Sequence, residues 1–110
     1  MSPTDDAPGE ASERDTVDRQ YGPVAEVFAA LASPLRAAIV HRLTVRDHTV
    51  AELVELTGAA QPLISQHLGK LRAAGLVEGQ RDGRQVFYRI ADDHVAHIFL
   101  DAYQHSAEGH

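Results

Sequence analysis

Four of the seven histidines lie between residues 94 and 110. The polar positions His94, His97, Asp101, His105 and Glu108 step by 3, 4, 4 and 3 residues, so a helix would carry them on one stripe. Imidazole and carboxylate are ligands for borderline divalent cations. Zinc–nitrogen bonds are about 2.0–2.1 Å, so such ligands must converge tightly. His94 and His105 are 11 residues apart, roughly 16 Å along a helix axis. One helix cannot place both on one ion, whereas two antiparallel copies can. Pairing His94 with a second copy's His105, and Asp92 with its Glu108, centres both crossings between residues 99 and 100. Ile98 and Phe99 would pack that crossing. The arrangement gives two equivalent sites per dimer, each with two histidines and two carboxylates. Such donors suit zinc, and also cobalt or nickel, and disfavour Cu(I). A solvated helix face would show the same stripe, and spacing alone leaves both readings open.

A second constellation lies upstream. From Leu56 to Val77 there is no Asp or Glu, in a chain that holds 16 acids. Such a gap marks a surface able to approach phosphate. Gln61, Ser65, Gln66, Gly69 and Arg72 fall opposite an apolar stripe, with His67 and Lys70 at its margins. Short polar side chains reach base edges in a major groove, and Gln can pair with adenine through two hydrogen bonds. Arg81, Arg84 and Gln85 follow, and suit contacts to the phosphate backbone. The competing reading is a small helical core with an ordinary solvated face.

The elements that position these groups follow from periodicity and punctuation. Val24, Val27, Phe28 and Leu31 mark a first amphipathic helix. Ser33-Pro34 starts a second, lined by Leu35, Ile39, Val40 and Leu43. Residues 50–57 form a short third helix stopped by Gly58. Gln61-Pro62 opens a fourth, which buries Ile64, Leu68 and Leu71 and ends near Gly75. Residues 76–81 and 84–90 read as strands flanking Asp82-Gly83, a two-residue hairpin signal. Residues 92–108 return to helical spacing through Val95, Ile98, Phe99 and Ala102. The expected class is mainly α with a β-hairpin wing, in the order α-α-α-α-β-β-α. Short helix, glycine turn, second helix and basic hairpin together describe a winged helix-turn-helix. A single reading head cannot close a long site, so a homodimer is expected on double-stranded operator DNA. The first and last helices are the natural dimerisation elements. His41 and His48 are read as surface residues.

Composition bounds the rest. The 110 residues suit one domain. The net charge of −6 hides a strong asymmetry. Residues 1–20 carry six acids against two bases, residues 61–89 carry five bases against two acids, and residues 90–110 have four acids and no Lys or Arg. Binding answers to the local field. Residues 1–20 should be a disordered acidic tail, and residues 21–110 the DNA-binding and dimerisation domain. With no Cys, disulfides, iron–sulfur clusters, thiolate catalysis and Cys-based zinc sites are excluded. No apolar run nears the roughly 18–20 residues of a membrane helix. The acidic N-terminus lacks the apolar core of a signal peptide. A cytoplasmic protein without a membrane partner is expected. Four ligands would close a zinc site against substrate, so an enzyme with a small-molecule substrate is not expected.

The stretches LASPLRAAIVHRL, VAELVELTGAAQPLISQHLGKLRAAGLV, RDGRQVFYRI and DDHVAHIFLDAYQHSAE resemble the ArsR/SmtB family of metal-responsive winged-helix repressors, over residues 24–108. The last stretch is most similar to the C-terminal helix site of SmtB-type zinc sensors, D-x-H, ten residues, H-x-x-E/H. Here that pattern is filled by Asp92, His94, His105 and Glu108. The resemblance implies an apo dimer bound to an inverted-repeat operator. It also implies that zinc bridging the protomers lowers DNA affinity and derepresses transcription, with His105 acting towards Gly75 at the end of the reading helix. The family's cysteine-containing box corresponds to Thr49–Leu53 here and has no thiol, so arsenic, cadmium or lead sensing at that place is not implied. His97 falls outside the ligand pattern, and His110 would add a ligand to a six-coordinate nickel or cobalt ion. The alternative is a regulator of the same fold that answers to nickel, cobalt or a non-metal signal.

Overall fold

The computed structural model describes residues 3–109, with side chains from residue 13. Its elements are α1 (Pro3–Leu31), α2 (Pro34–Val45), β1 (His48–Thr49), α3 (Val50–Thr57), α4 (Gln61–Ala73), β2 (Val77–Asp82), β3 (Gln85–Ile90) and α5 (Asp93–Ala107). Met1, Ser2 and His110 lie outside the described residues.

The helix boundaries are set by local chemistry. Ser33 caps α2, its Oγ accepting from Arg36 N at 3.3 Å, with Pro34 in the first turn. Thr49 caps α3 in a reciprocal box with Glu52, and Gly58 ends that helix at φ 76°. At the end of α4, Gly75 (φ 77°) lets Leu76 N–H donate to Leu71 O at 2.9 Å and Gly75 N–H to Arg72 O at 2.9 Å. Both Leu71 and Leu76 are buried, so the cap also closes an apolar contact. Asp92 caps α5 by accepting from Val95 N at 3.1 Å.

These ends aim one apolar face of each helix inward. The core is Ile39, Val40 and Leu43 of α2, Leu53 of α3, Ile64, Leu68 and Leu71 of α4, Leu76 and Val77, and Val95 and Phe99 of α5. The antiparallel sheet has the order β1-β3-β2 and holds the wing against this core. Among the described residues, no single helix is long and apolar enough to cross a membrane.

α1 runs from Pro3 to Leu31 as one helix, through the stretch whose composition predicts a disordered tail. Residues 13–20 are exposed all round, so packing does not select that stretch. The hairpin loop is Gly83-Arg84, one residue later than the sequence signal, because Asp82 pairs with Gln85. Gly83 takes φ 67°, a conformation that favours glycine, at the first loop position. A third strand, β1, pairs His48 with Tyr88 and Thr49 with Phe87. That pairing buries His48, which is 4% exposed rather than a surface residue. His41 is likewise half-buried, its ring 4.3 Å from that of Tyr103 and 5.6 Å from that of Phe99.

Candidate nucleic-acid interface and metal half-sites

The sequence of α4 divides it into two faces. Ile64, Leu68 and Leu71 are buried against α2 and α3, which fixes the helix axis. Gln61, Ser65, Gln66, Gly69, Lys70 and Arg72 are exposed. Lys70 and Arg72 sit in the last turn, where cations complement the helix dipole. His67 departs from this face. It is half-buried, and its Nδ1 lies 2.9 Å from Arg36 Nη1 on α2. Burial first, then the charges of Arg36 and Lys70, hold its pKa below the usual histidine value of 6.5. No sequence pattern signals this contact, because the two residues are 31 positions apart.

On the wing, Arg81, Arg84 and Gln85 are all exposed. Arg84 occupies the turn itself. Arg89 does not join this field, because its Nη1 donates to Gln80 Oε1 at 2.6 Å and its Nε lies 3.5 Å from Glu78 Oε2. A groove of about 560 Å³ between the wing and the turn before β1 is lined by Arg46, Asp47, Gln80, Arg81, Asp82 and Phe87. Its two arginines face two aspartates, so it has no field of one sign.

The histidine–carboxylate residues form two separated halves. At the start of α5, His94 Nδ1 lies 3.6 Å from Asp92 Oδ1, and the His94 side chain is 93% exposed. The cap already uses that oxygen of Asp92. At the other end, His105 lies in the last turn and Glu108 follows as the C-cap, its backbone N–H donating to His105 O at 3.3 Å. Gln104 Nε2 donates to Glu108 Oε2 at 3.4 Å. The helix between them keeps the halves roughly 16 Å apart. Among the described residues of one chain, no group of three or more His, Asp or Glu converges on a point. Each half nevertheless pairs an exposed imidazole with a carboxylate, a donor set that fits zinc, cobalt or nickel. His97 and Asp101 are exposed on α5 between the halves.

The profile for bacterial regulatory proteins of the arsR family matches residues 33–79, from the cap of α2 into β2. The HTH-type transcriptional repressor SmtB of Mycobacterium tuberculosis is 53% identical over 83 residues, which are 76% of this chain and 62% of that protein. The HTH-type transcriptional regulator NmtR of the same organism is 39% identical over 87 residues, covering 79% of this chain and 72% of that protein. The chain belongs to the ArsR family. Its fold is the winged helix-turn-helix of that family. The homodimeric winged helix-turn-helix DNA-binding domain from Mycobacterium bovis, solved by solution NMR, superposes with a TM-score of 0.79 at 32% identity, covering 86% of this chain and 88% of that one. The aligned stretch is thus less than two thirds of the SmtB relative's length. Within the ArsR-family frame, α3, the glycine turn and α4 form the helix-turn-helix, and β2–β3 is the wing.

Proposed function

We propose that this ArsR-family chain is a cytoplasmic, metal-responsive transcriptional repressor. In this reading, two copies associate through α1 and α5, and their α4 helices read the two halves of an inverted repeat. One observation carries it. The chain that displays an acid-free reading helix also splits a four-ligand N/O set between the two ends of α5, so that only a second copy completes it. Exposed apolar side chains support the pairing: Val17, Tyr21, Val24 and Phe28 on α1, and Ile98, Leu100 and Tyr103 on α5, are all between 38% and 56% exposed. The relative's designation as a repressor agrees with the reading.

Asp92 and His94 of one copy, with His105 and Glu108 of the other, would hold the ion. Bound zinc, or cobalt or nickel in its place, would supply a clamp between the two α5 helices. The ligands lie on the dimerisation elements, outside the reading face, so they act on DNA only by favouring a dimer geometry that grips it less well. A coupling of about 1–3 kcal/mol is typical, and DNA must weaken metal binding by the same factor.

The test is fluorescence anisotropy of a duplex from the gene's own upstream region, titrated with apo protein and then with zinc at fixed salt. Tight binding followed by release supports the reading. Tight binding indifferent to zinc, cobalt and nickel leaves a DNA-binding regulator with a different signal. Failure to bind the duplex overturns the reading.

A further inference from the structure

Arg36 makes three contacts that no other side chain duplicates among the contacts described. Its Nε donates to Ala30 O at 2.6 Å and its Nη2 to Ala29 O at 3.5 Å, both in the last turn of α1. Its Nη1 meets His67 Nδ1 on α4 at 2.9 Å. Carbonyls at a helix end lack partners within the helix, and a cation there is also favoured by the dipole. A guanidinium presents donors in a rigid planar fork and accepts nothing. His67 Nδ1 must therefore be the acceptor, which leaves the ring proton on Nε2. An imidazolium would have no lone pair for Arg36 and would add a third positive charge beside Arg36 and Lys70.

We propose that Arg36 is a positioning residue for DNA reading: it locks the end of the dimerisation helix α1 to the reading helix α4 and holds His67 as the neutral Nε2–H tautomer. This rests on the proposed function in two respects, that α1 helps to pair the copies and that α4 reads DNA. The link sets the angle between the element that pairs the two copies and the element that enters the groove. It also fixes the half-buried His67 as a donor at Nε2, at the margin of the exposed face that carries Gln66 and Lys70.

Two variants test it. Arg36→Lys keeps the charge but loses the fork. His67→Phe keeps a ring but removes the acceptor, and leaves Arg36 on the α1 carbonyls. Long-range proton–nitrogen NMR of the full chain at pH 7.5 should show His67 with its proton on Nε2, and a mixture of tautomers in Arg36→Lys. Anisotropy should show each variant losing about tenfold in affinity for the upstream duplex, with affinity for a random duplex unchanged. The double variant should lose less than the product of the two single losses, because both remove the Arg36–His67 contact. A proton on Nδ1 in the wild-type chain overturns the proposal. So do equal losses on both duplexes, or losses that multiply in the double variant. Should Arg36→Lys fail to fold, the spectrum of the wild type and the binding of His67→Phe decide it. A wild-type chain that binds neither duplex overturns the proposed function and the reading role together, while the tautomer spectrum still judges the link.

Discussion

Glu52 meets His48 and closes the cap of α3 with a single oxygen: Oε1 lies 3.1 Å from His48 Nδ1 and accepts from Thr49 N at 3.1 Å. The first strand and the first helix of the helix-turn-helix thus share one anchor. The Thr49 backbone hydrogen bond is the main reason the Glu52 carboxyl titrates below its usual 4.5, reinforced by His48 and Arg46 and opposed by desolvation. Thr49 Oγ1 returns the bond by accepting from Glu52 N at 3.2 Å. Thr49→Ala should therefore lose about 1 kcal/mol of stability, read as a lower midpoint in urea. An unchanged midpoint would mean that β1 pairing alone holds this corner.

Acid should act in two windows. His67 has a lowered pKa, through burial and then Arg36 and Lys70. As pH falls below about 6.5, the unfolded chain takes that proton before the folded chain does, so stability drops. The contribution is complete above that pH. The stability difference between the wild type and His67→Phe should narrow as pH falls from 7.5 to 5.5, and a constant difference would contradict it. Glu52, with a folded pKa below 4.5, loses its contribution only as pH falls further, through that folded value.

Arg84 and Gln66 should fail in different ways. Arg84→Ala removes a cation from the turn of the wing, so affinity for every duplex falls together. The salt slope should shrink by about one unit. Gln66→Ala removes a base-reading group and should cost about 1–3 kcal/mol of discrimination. Titrations of both variants on upstream and random duplexes separate the two effects. Equal losses for Gln66→Ala would remove it from the reading face.

His105→Ala should bind the upstream duplex as the wild type does, yet lose the release by zinc. In the wild type that release is expected to be about 5–150-fold in affinity. Zinc affinity of the wild type should also fall in acid, since metal binding requires deprotonated ligands. Unchanged zinc affinity in His105→Ala would sink the site.

The parts legible beforehand are those that neighbours in sequence decide. Ser33-Pro34, Gly58 and Gly75 punctuate helices within a turn of themselves, and the stripe Ile64, Leu68, Leu71 needs only its own period. The hairpin was legible to within one residue, because both Asp82 and Arg84 flank the glycine that makes the turn. β1 was not legible, since two residues have no period and their partners Phe87 and Tyr88 lie far along the chain. Separation in sequence likewise hid the burial of His48 and the partner of His67, which is 31 positions away. On α5 the polar stripe was legible as spacing, and the separation of His94 from His105 in one chain is what that spacing requires.

The order β1-β3-β2 leaves β2 at the rim of the sheet. Its outer row of amides and carbonyls is open to any extended chain that could add a strand. The rim reads Val-Glu-Gly-Gln-Arg-Asp, and all but Val77 are exposed. Charges of both signs and a glycine make it a poor template for that kind of addition. The wing is thereby a poor partner for strand-swapped aggregation, which fits the proposed pairing through the helices.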